Sequence, residues 1–167
     1  RGVDGPVGVT VTPMDSMNPS SRAWIDGGVQ AGHPFNKDMN GGDPHGMAQM
    51  QGNYADGLRQ SASACYLKPV LSRPNLNVIT GALVKRVVVS DGRATAVEYV
   101  HRGRTQQLAA RREILLCGGA INSPQVLQLS GIGDPADLAP HGIELKLPLL
   151  GVGKNLKDHI AIAVKQR

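Results

Sequence analysis

The chain has 167 residues, a length typical of one domain or of part of a larger protein. With 41% apolar and 19% charged residues, its composition excludes an intrinsically disordered chain and a coiled coil. Aromatic residues make up only 3%, beside 21 glycines and 11 prolines. This composition predicts many turns and packing that depends on glycine.

The formal net charge is +5, with basic residues concentrated at Lys85–Arg86 and between Arg102 and Arg112. Neither interleaved aromatic residues nor a helix-turn-helix or finger pattern accompanies them, so we expect no nucleic-acid partner. No apolar run approaches the ~20 residues of a transmembrane helix, and no signal-peptide pattern is present. We expect a cytoplasmic protein, with association with a membrane as the alternative. Because residue 1 is arginine, we expect the natural start to lie elsewhere.

The first elements in chain order are a short strand and a helix. Alternating valine and threonine predict a strand over Val7–Val11. A helix follows over Pro19–Ala31, with Asn18 or Ser20 as the N-cap and Gly32 as the stop.

The next segment, "HPFNKDMNGGDPHG" at residues 33–46, consists of turn-forming residues and predicts an extended loop that covers a site or an interface. Helical signals resume at Ser61 in "SASACYLKPVL", and Pro69 limits that helix.

From residue 75 the apolar pattern changes to period two. Asp91–Gly92 is a strong two-residue hairpin signal, and a second turn is predicted at Arg102–Gly103. This part of the sequence therefore predicts an antiparallel meander of three or four strands.

The segment "CGGAINSPQVLQLSGIG" follows. It predicts a buried strand over Arg112–Cys117, the glycine pair Gly118–Gly119, and a helix from Ser123–Pro124 to Gly131. Two interpretations of the glycine pair stay open at this point. The glycines allow close packing of strand and helix, or they leave the backbone bare for an anion at the helix start.

The last third predicts a short helix from Asp134 to Gly142, a turn in "GVGKN" at residues 151–155, and a strand from about Ile160 to the chain end. "GVGKN" has neither the GxGxxG nor the P-loop spacing, so a plain turn is the default.

Few side chains point to chemistry by themselves. The five histidines are scattered without metal-ligand spacing, so we expect no metal site. His159 beside Asp158 is either an oriented base or, more in keeping with its place at a strand start, a structural histidine. Cys65 and Cys117 lack CxxC spacing. Apolar neighbours favour an inert core thiol at Cys117 over a nucleophile, and Ser123 lacks the GxSxG elbow of serine hydrolases.

Several motifs, in their order and spacing, resemble one known family. They are "GHPFNKDMNGGDPHG", "GLRQSASACYLKPVLSRPNL", "RPNLNVITGALVKRVVV", "EILLCGGAINSPQVLQLSGIG" and "LLGVGKNLKDH". Together they resemble the flavin-dependent glucose-methanol-choline (GMC) oxidoreductases, and among them the choline dehydrogenase-like branch, over about residues 20–160. The resemblance implies that the chain is an internal fragment of such an enzyme.

The resemblance also implies a fold. The class is α/β, an α+β fragment that combines part of a Rossmann-like FAD-binding domain, with its antiparallel meander, and pieces of a substrate-binding domain. Residues 1–60 would be a substrate-domain portion with its covering loop. Residues 61–150 would belong to the FAD-binding domain, and residues 151–167 would return to the substrate domain.

FAD is the cofactor that the resemblance implies. By this resemblance the main chain of Val84 meets the adenine, and Cys117, Gly118 and Gly119 line the ribose and diphosphate. The family match thus favours approach of a ligand over plain packing as the reason for the glycine pair.

The implied parent is a flavin-dependent alcohol dehydrogenase or oxidase that converts a choline-like alcohol to an aldehyde by hydride transfer to FAD. Its partners would be the small-molecule alcohol and the rest of the polypeptide. No catalytic residue is assigned, because the family's catalytic histidine and its GxGxxG motif are expected outside this chain. His159 matches the histidine of the family's "N-L-x-D-H" instead. We therefore expect the isolated chain to be inactive.

Two alternatives remain at this point. Some relatives of the same fold keep FAD but act as hydroxynitrile lyases. A fragment of this kind could also be a non-catalytic domain that acts through protein contacts, for which the basic meander is the supporting feature.

Overall fold

The computed structural model describes residues 4–163, and the chain divides into two compact units, Arg1–Val78 and Ile79–Arg167. Helices and strands are mixed, and the longest strands form an antiparallel meander. The predicted α/β fragment is therefore confirmed as a fold class. The domain boundaries predicted at residues 60 and 150 stay predictions.

The first unit contains one α-helix and three pairs of short strands. Its elements are β1 (Thr10–Val11), α1 (Pro19–Gln30), β2 (Phe35–Asn36), β3 (Met47–Ala48), β4 (Gln51–Gly52), β5 (Tyr54–Ala55) and β6 (Leu58–Arg59). Strand β1 pairs antiparallel with β4, β2 pairs parallel with β3, and β5 pairs antiparallel with β6. The strand predicted over Val7–Val11 is thus shorter than expected.

Helix α1 follows its sequence signals closely. The Asn18 side chain accepts a hydrogen bond from the backbone N–H of Ser20 at 3.0 Å, which caps one of the unpaired donors of the first turn. Pro19 occupies the first turn, where its missing N–H costs nothing. Gly32, at φ 95°, follows the helix end. Ile25 is the buried residue of this helix.

The segment at residues 33–46, predicted as an extended loop, is a loop except at Phe35–Asn36, which form strand β2, and side-chain hydrogen bonds organise it. The amide of Asn36 donates to the carbonyl oxygens of Asp43 and His45 at 2.7 and 3.1 Å. Its Oδ1 accepts from the backbone N–H of Asp38 at 2.9 Å. The Asn36 side chain therefore joins Asp38 on one side of the loop to Asp43 and His45 on the other.

The helix predicted from Ser61 is irregular. Residues Ser63–Leu67 form one π-helical turn, and Lys68–Val70 form a 3-10 turn. The 3-10 turn carries Pro69 in its first turn, and proline cannot donate the backbone bond that a continuing helix needs.

The second unit contains the meander, two α-helices and one short parallel strand pair. Its elements are β7 (Ala82–Ser90), β8 (Arg93–His101), β9 (Arg104–Ala109), α2 (Gly119–Leu129), β10 (Ile132–Gly133), α3 (Pro135–Leu138) and β11 (Leu147–Pro148). The sheet order is β7-β8-β9. Both predicted turns are present, with Asp91 and Gly92 at φ 50° and 72° and Arg102 and Gly103 at φ 51° and 73°. Two successive positive φ values are the geometry of a two-residue hairpin turn.

A β-bulge interrupts β7. The register with β8 shifts between Val84 and Arg86, so Lys85 has no partner opposite it. Both cations of the bulge contact one carboxylate: Arg86 Nη2 lies 3.0 Å and Lys85 Nζ 3.8 Å from Glu98. Their positive charges, with the hydrogen bond from Arg86 as the largest cause, lower the pKa of Glu98. The charge pattern thus stabilises the local shape of the strand.

The start of α2 differs from the prediction. The helix begins at Gly119, before the predicted start at Ser123–Pro124, and Pro124 lies inside it. The reason is a local hydrogen bond: the Ser123 hydroxyl accepts from the backbone N–H of Gly118 at 3.0 Å. That bond satisfies an unpaired donor at the helix start, and it outweighs the preference of proline for a first turn.

Two predicted strands are not assigned. Residues 112–117 carry no strand within the described part of the chain, and Leu115 and Cys117 are exposed. A strand needs a paired neighbour, and residues 4–163 supply none for this segment. The strand predicted from about Ile160 is likewise absent up to residue 163, and Ile160 is 95% exposed. Its last residues lie outside the described range.

The predicted helix from Asp134 is present in two parts, α3 and a 3-10 turn over Ala139–His141. The Asp134 side chain caps it by accepting from the backbone N–H of Ala136, and Gly142 ends it at φ 66°. The turn predicted at residues 151–155 is also present, and a hydrogen bond from the Lys154 N–H to the Gly151 carbonyl oxygen closes it at 3.2 Å over residues 151–154.

Few side chains of the described residues are buried. In the second unit the buried apolar residues are Val87, Ala96, Tyr99, Leu138 and Val152. Many large apolar side chains remain exposed, among them Leu83, Ile121 and Leu156. None of the helices in residues 4–163 is long and apolar enough to cross a bilayer.

Candidate functional site: the glycine pair and the bulged strand

The two adjacent glycines are required for different reasons. Gly119 has φ 80°, a conformation that side chains disfavour, and a Cβ there would meet no atom within 4 Å. Gly118 has an ordinary φ of −79°, but a Cβ there would lie 3.0 Å from the Asn122 Cβ. Gly118 therefore allows close packing inside the turn, whereas Gly119 leaves an open stretch of bare backbone.

The start of α2 is suited to a negatively charged group. The first turn carries no acidic residue, and the N-cap residue Gly118 has no side chain; its own N–H donates to the Ser123 hydroxyl. Residues 117–122 are exposed. The free N–H groups and the positive end of the helix dipole favour an anion at such a position.

Val84 lies on β7 immediately before the bulge, opposite Tyr99 of β8. It is 38% exposed, so the residue is accessible from solvent. Because β7 is the first strand of the sheet, its outer side carries no strand among the described residues. Val84 is therefore a partly exposed residue of an edge strand.

Cys117 corrects one prediction. Its thiol is exposed and does not belong to the core, because the segment before the glycine pair is not covered as a buried strand would be. Cys117 adjoins Gly118 in the chain and so shares the exposed start of α2. It is a free cysteine.

Helix α2 packs against β7, so the predicted residues lie on two elements in contact. One side chain joins them directly. The Ser130 hydroxyl accepts from the backbone N–H of Val87 at 2.8 Å and donates to the carbonyl oxygen of Val126 at 2.6 Å. The strand that carries Val84 and the helix that begins at Gly119 therefore pack directly against each other. The sequence analysis did not single out Ser130, although a serine directly before the stop glycine of a helix was a usable signal.

A second contact that the sequence did not reveal involves Lys154. Its Nζ lies 2.5 Å from Asp137 and 3.8 Å from Asp134, both near the start of α3. The hydrogen bond with Asp137 is the largest cause that raises the pKa of Lys154. The lysine of "GVGKN" is therefore engaged with two carboxylates of the chain itself.

Other candidate side chains do not form a site. The Asp158 carboxylate accepts from the backbone N–H of His159 at 2.7 Å, so this contact does not orient the imidazole as a base. Within residues 4–163, no three histidine, cysteine, aspartate or glutamate side chains are arranged to hold a metal ion.

Comparison with known proteins identifies the family. The sequence pattern described as "GMC oxidoreductase" matches residues 1–161. Human mitochondrial choline dehydrogenase is 43% identical over 166 residues, which is 99% of this chain and 28% of that protein. Oxygen-dependent choline dehydrogenase of Stenotrophomonas maltophilia is 45% identical over 162 residues, which is 96% of this chain and 29% of that protein. The chain therefore spans less than a third of these relatives.

Solved structures give the same result. Pyridoxine 4-oxidase from Mesorbium loti superposes with a TM-score of 0.81 at 32% identity, over 88% of this chain and 29% of the oxidase. An FAD-dependent oxidoreductase from Chaetomium thermophilum also gives 0.81, at 29% identity, over 95% of this chain and 28% of that enzyme.

Proposed function

Because the chain belongs to the GMC oxidoreductase family, we propose that it is part of an FAD-dependent enzyme that oxidises an alcohol of the choline type to an aldehyde. In this proposal the chain contributes one side of the cofactor site. Gly118, Gly119 and Cys117 line the ribose and diphosphate of FAD, and the main chain of Val84 meets the adenine.

Two kinds of likeness support the activity. The compared relatives are named as choline dehydrogenases at 43% and 45% identity. The solved neighbours are named as a pyridoxine oxidase and an FAD-dependent oxidoreductase. All of them act in oxidation, and one name includes FAD. These names favour the oxidoreductase over the hydroxynitrile lyase alternative, which a turnover assay distinguishes.

The observation that carries the cofactor proposal is the geometry at Gly119. Its positive φ and the open space at its Cβ position leave bare backbone at the start of an eleven-residue helix. A helix start without acidic residues in its first turn fits the diphosphate of FAD in charge, and its backbone N–H groups fit as hydrogen-bond donors. Val84 is 38% exposed and lies on the edge strand β7, where an adenine edge can approach the backbone.

FAD, when bound, supplies the redox chemistry and accepts a hydride from the alcohol. The residues of this chain would bind and orient the cofactor and exclude water from its adenosine side. None of residues 4–163 is assigned as the proton-accepting base. We propose that the isolated chain binds FAD weakly and turns over no alcohol.

The cofactor proposal is tested by Gly119→Ala in the full-length enzyme, with FAD affinity as the measurement. The alanine methyl would occupy the space assigned to the diphosphate, so we expect the dissociation constant to rise about tenfold, equivalent to ~1.4 kcal/mol. Gly92→Ala is the matched control, because Gly92 has a similar φ of 72° and equally open space at its Cβ position, and it lies at the end of the β7–β8 ladder away from Val84. Equal FAD affinity in both variants and the unaltered enzyme would overturn the assignment.

The reaction is tested separately by anaerobic addition of choline and of other primary alcohols to the full-length holoenzyme. We expect bleaching of the visible flavin absorbance and formation of the aldehyde. Cyanohydrin cleavage without any change in flavin absorbance would instead assign the enzyme to the lyases.

A further inference from the structure

We infer that Ser130 is a positioning residue for the cofactor site: its hydroxyl fixes helix α2 against strand β7 and so sets where Gly119 lies relative to Val84. This inference rests on the proposed function, because it concerns the same adenosine side of the FAD site. It adds a residue that contacts neither the glycine pair nor Val84.

The contact is a chain of two hydrogen bonds through one hydroxyl group. The Val87 N–H donates to Ser130 Oγ at 2.8 Å, and Ser130 Oγ donates to the Val126 carbonyl oxygen at 2.6 Å. The Ser130 backbone N–H in turn donates to the carbonyl oxygens of Val126 and Leu127. Backbone atoms of the strand and of the helix are therefore joined through a single side chain.

The hydroxyl is needed because the contact is buried. Ser130 is 7% exposed and is the one polar side chain among the buried residues of the described part of the chain. Val87, its partner, is 5% exposed. The Val87 N–H points out of the sheet edge, where no further strand lies within residues 4–163 to accept it. A buried backbone donor needs a partner, and Ser130 supplies it.

The position of the Ser130 contact lets it affect the distance between Gly119 and Val84. Ser130 directly follows α2, and Gly119 begins the helix, about 16 Å away at ~1.5 Å per residue. On the strand, Val87 lies three residues beyond Val84, across the bulge. If α2 rotates slightly about its Ser130 end, the Gly119 end moves farther than the Ser130 end. The Ser130 hydroxyl therefore controls the separation of Gly119 and Val84.

The bulge gives the strand side of this link a fixed shape. Glu98 binds both Lys85 and Arg86, which are the two residues between Val84 and Val87. Because these ion pairs hold the segment, a displacement of Val87 also displaces Val84 and does not shift the register of the strand. Ser130 and Glu98 together define the path from the helix to the strand.

The experiment compares Ser130→Ala and Ser130→Thr in the full-length enzyme. The apoprotein is titrated with FAD by flavin fluorescence, and ADP, which carries the adenosine and diphosphate alone, is titrated as a competitor. We expect Ser130→Ala to weaken both FAD and ADP about five- to tenfold. We expect Ser130→Thr, which keeps the hydroxyl, to stay within twofold of the unaltered protein.

Thr95→Val is the matched control for a general loss of stability. It removes another partly buried hydroxyl of the same sheet, which donates to the Val88 carbonyl oxygen at 3.3 Å. We expect it to lower the melting temperature without changing the affinity for FAD or ADP. If Ser130→Ala also lowers only the melting temperature, Ser130 is merely structural and the inference is wrong.

If Ser130→Ala yields no soluble protein, Ser130→Cys replaces it. Cysteine is similar in size to serine but is a weaker hydrogen-bond acceptor. We expect its ADP affinity to lie between that of the unaltered protein and the five- to tenfold loss expected for Ser130→Ala. Unchanged ADP affinity in that variant would equally overturn the inference. The proposed function is judged independently: it fails if Gly119→Ala leaves FAD binding unchanged, whatever the Ser130 variants do.

Discussion

Lys154 Nζ lies 2.5 Å from the Asp137 carboxylate, and this contact ties the turn at residues 151–154 to helix α3. Asp134, the N-cap of the same helix, lies 3.8 Å from the same ammonium group. One lysine therefore lies beside both carboxylates near the start of α3 and offsets part of their charge. Ion pairs with this much exposure contribute little, and what they contribute depends on pH.

We expect Lys154→Met to lower the thermal stability of the full-length protein slightly at neutral pH. Because the folded state raises the pKa of Lys154 above its ordinary value of 10.5, the contribution is complete below that value. It is lost as the pH rises through the folded-state pKa. Melting curves from pH 8 upward should therefore converge for the variant and the unaltered protein. Lys157→Met removes the same charge three residues away, and it should show no such convergence.

We expect Glu98→Gln to remove an acid-sensitive part of the stability. The folded-state pKa of Glu98 lies below its ordinary value of 4.5, chiefly because Arg86 donates a hydrogen bond to it. The contribution is therefore complete above about pH 4.5 and is lost as the pH falls through the folded-state pKa. Urea midpoints measured between pH 3 and pH 7 should show a smaller slope for the variant. Glu113→Gln, which changes the net charge equally, should keep the slope; equal slopes in all three proteins would contradict the assignment.

We expect Gly131→Ala to be strongly destabilising, by roughly 3 kcal/mol. Gly131 has φ 83°, and a Cβ there would overlap the carbonyl oxygen of Glu144. Gly142→Ala is the control, since Gly142 has φ 66° with open space at its Cβ position, and it should cost only about 1–2 kcal/mol. The two free energies of unfolding, taken from urea titrations, would disprove the packing argument if they were equal.

We expect Arg102→Asn to stabilise the β8–β9 hairpin by about 0.5 kcal/mol. Arg102 adopts φ 51° before Gly103 in a two-residue turn, and asparagine tolerates that conformation better than arginine does. Arg104→Asn removes the same charge from a strand position and should not stabilise. An equal rise in melting temperature for both variants would instead point to loss of the charge as the cause.

Elements whose signals are local were predicted from the sequence. The two hairpin turns follow from Asp91–Gly92 and Arg102–Gly103, because positive φ values are a property of two adjacent residues. Helix α1 follows from its cap at Asn18. In each case the physical cause lies within a few residues of the element.

Elements that depend on distant or competing contacts were not predicted. A strand over residues 112–117 requires a pairing partner, and no local pattern reveals whether one is present. The start of α2 was misplaced because the Ser123 hydroxyl bonds back to Gly118, and that bond outweighs the signal of Pro124. Ser130 was missed because its partner, Val87, is 43 residues away in the chain.

The candidate site was predicted by resemblance, and its residue assignments remain predictions. The glycine pair illustrates why sequence alone left two interpretations open. Packing applies to Gly118, whereas the open backbone at Gly119 leaves room for a ligand, whose binding there stays a prediction.

The two hairpin turns differ in their distance from Val84, and this decides which of them suits the insertion of a probe. The turn at Arg102–Gly103 adjoins the row of Ala82 and His101, close to Val84, whereas Asp91–Gly92 closes the opposite end of the β7–β8 ladder. Exposed turns of this kind tolerate insertions well. A fluorophore or short epitope placed at Asp91–Gly92 would therefore follow the folding of the meander while leaving the proposed cofactor side untouched.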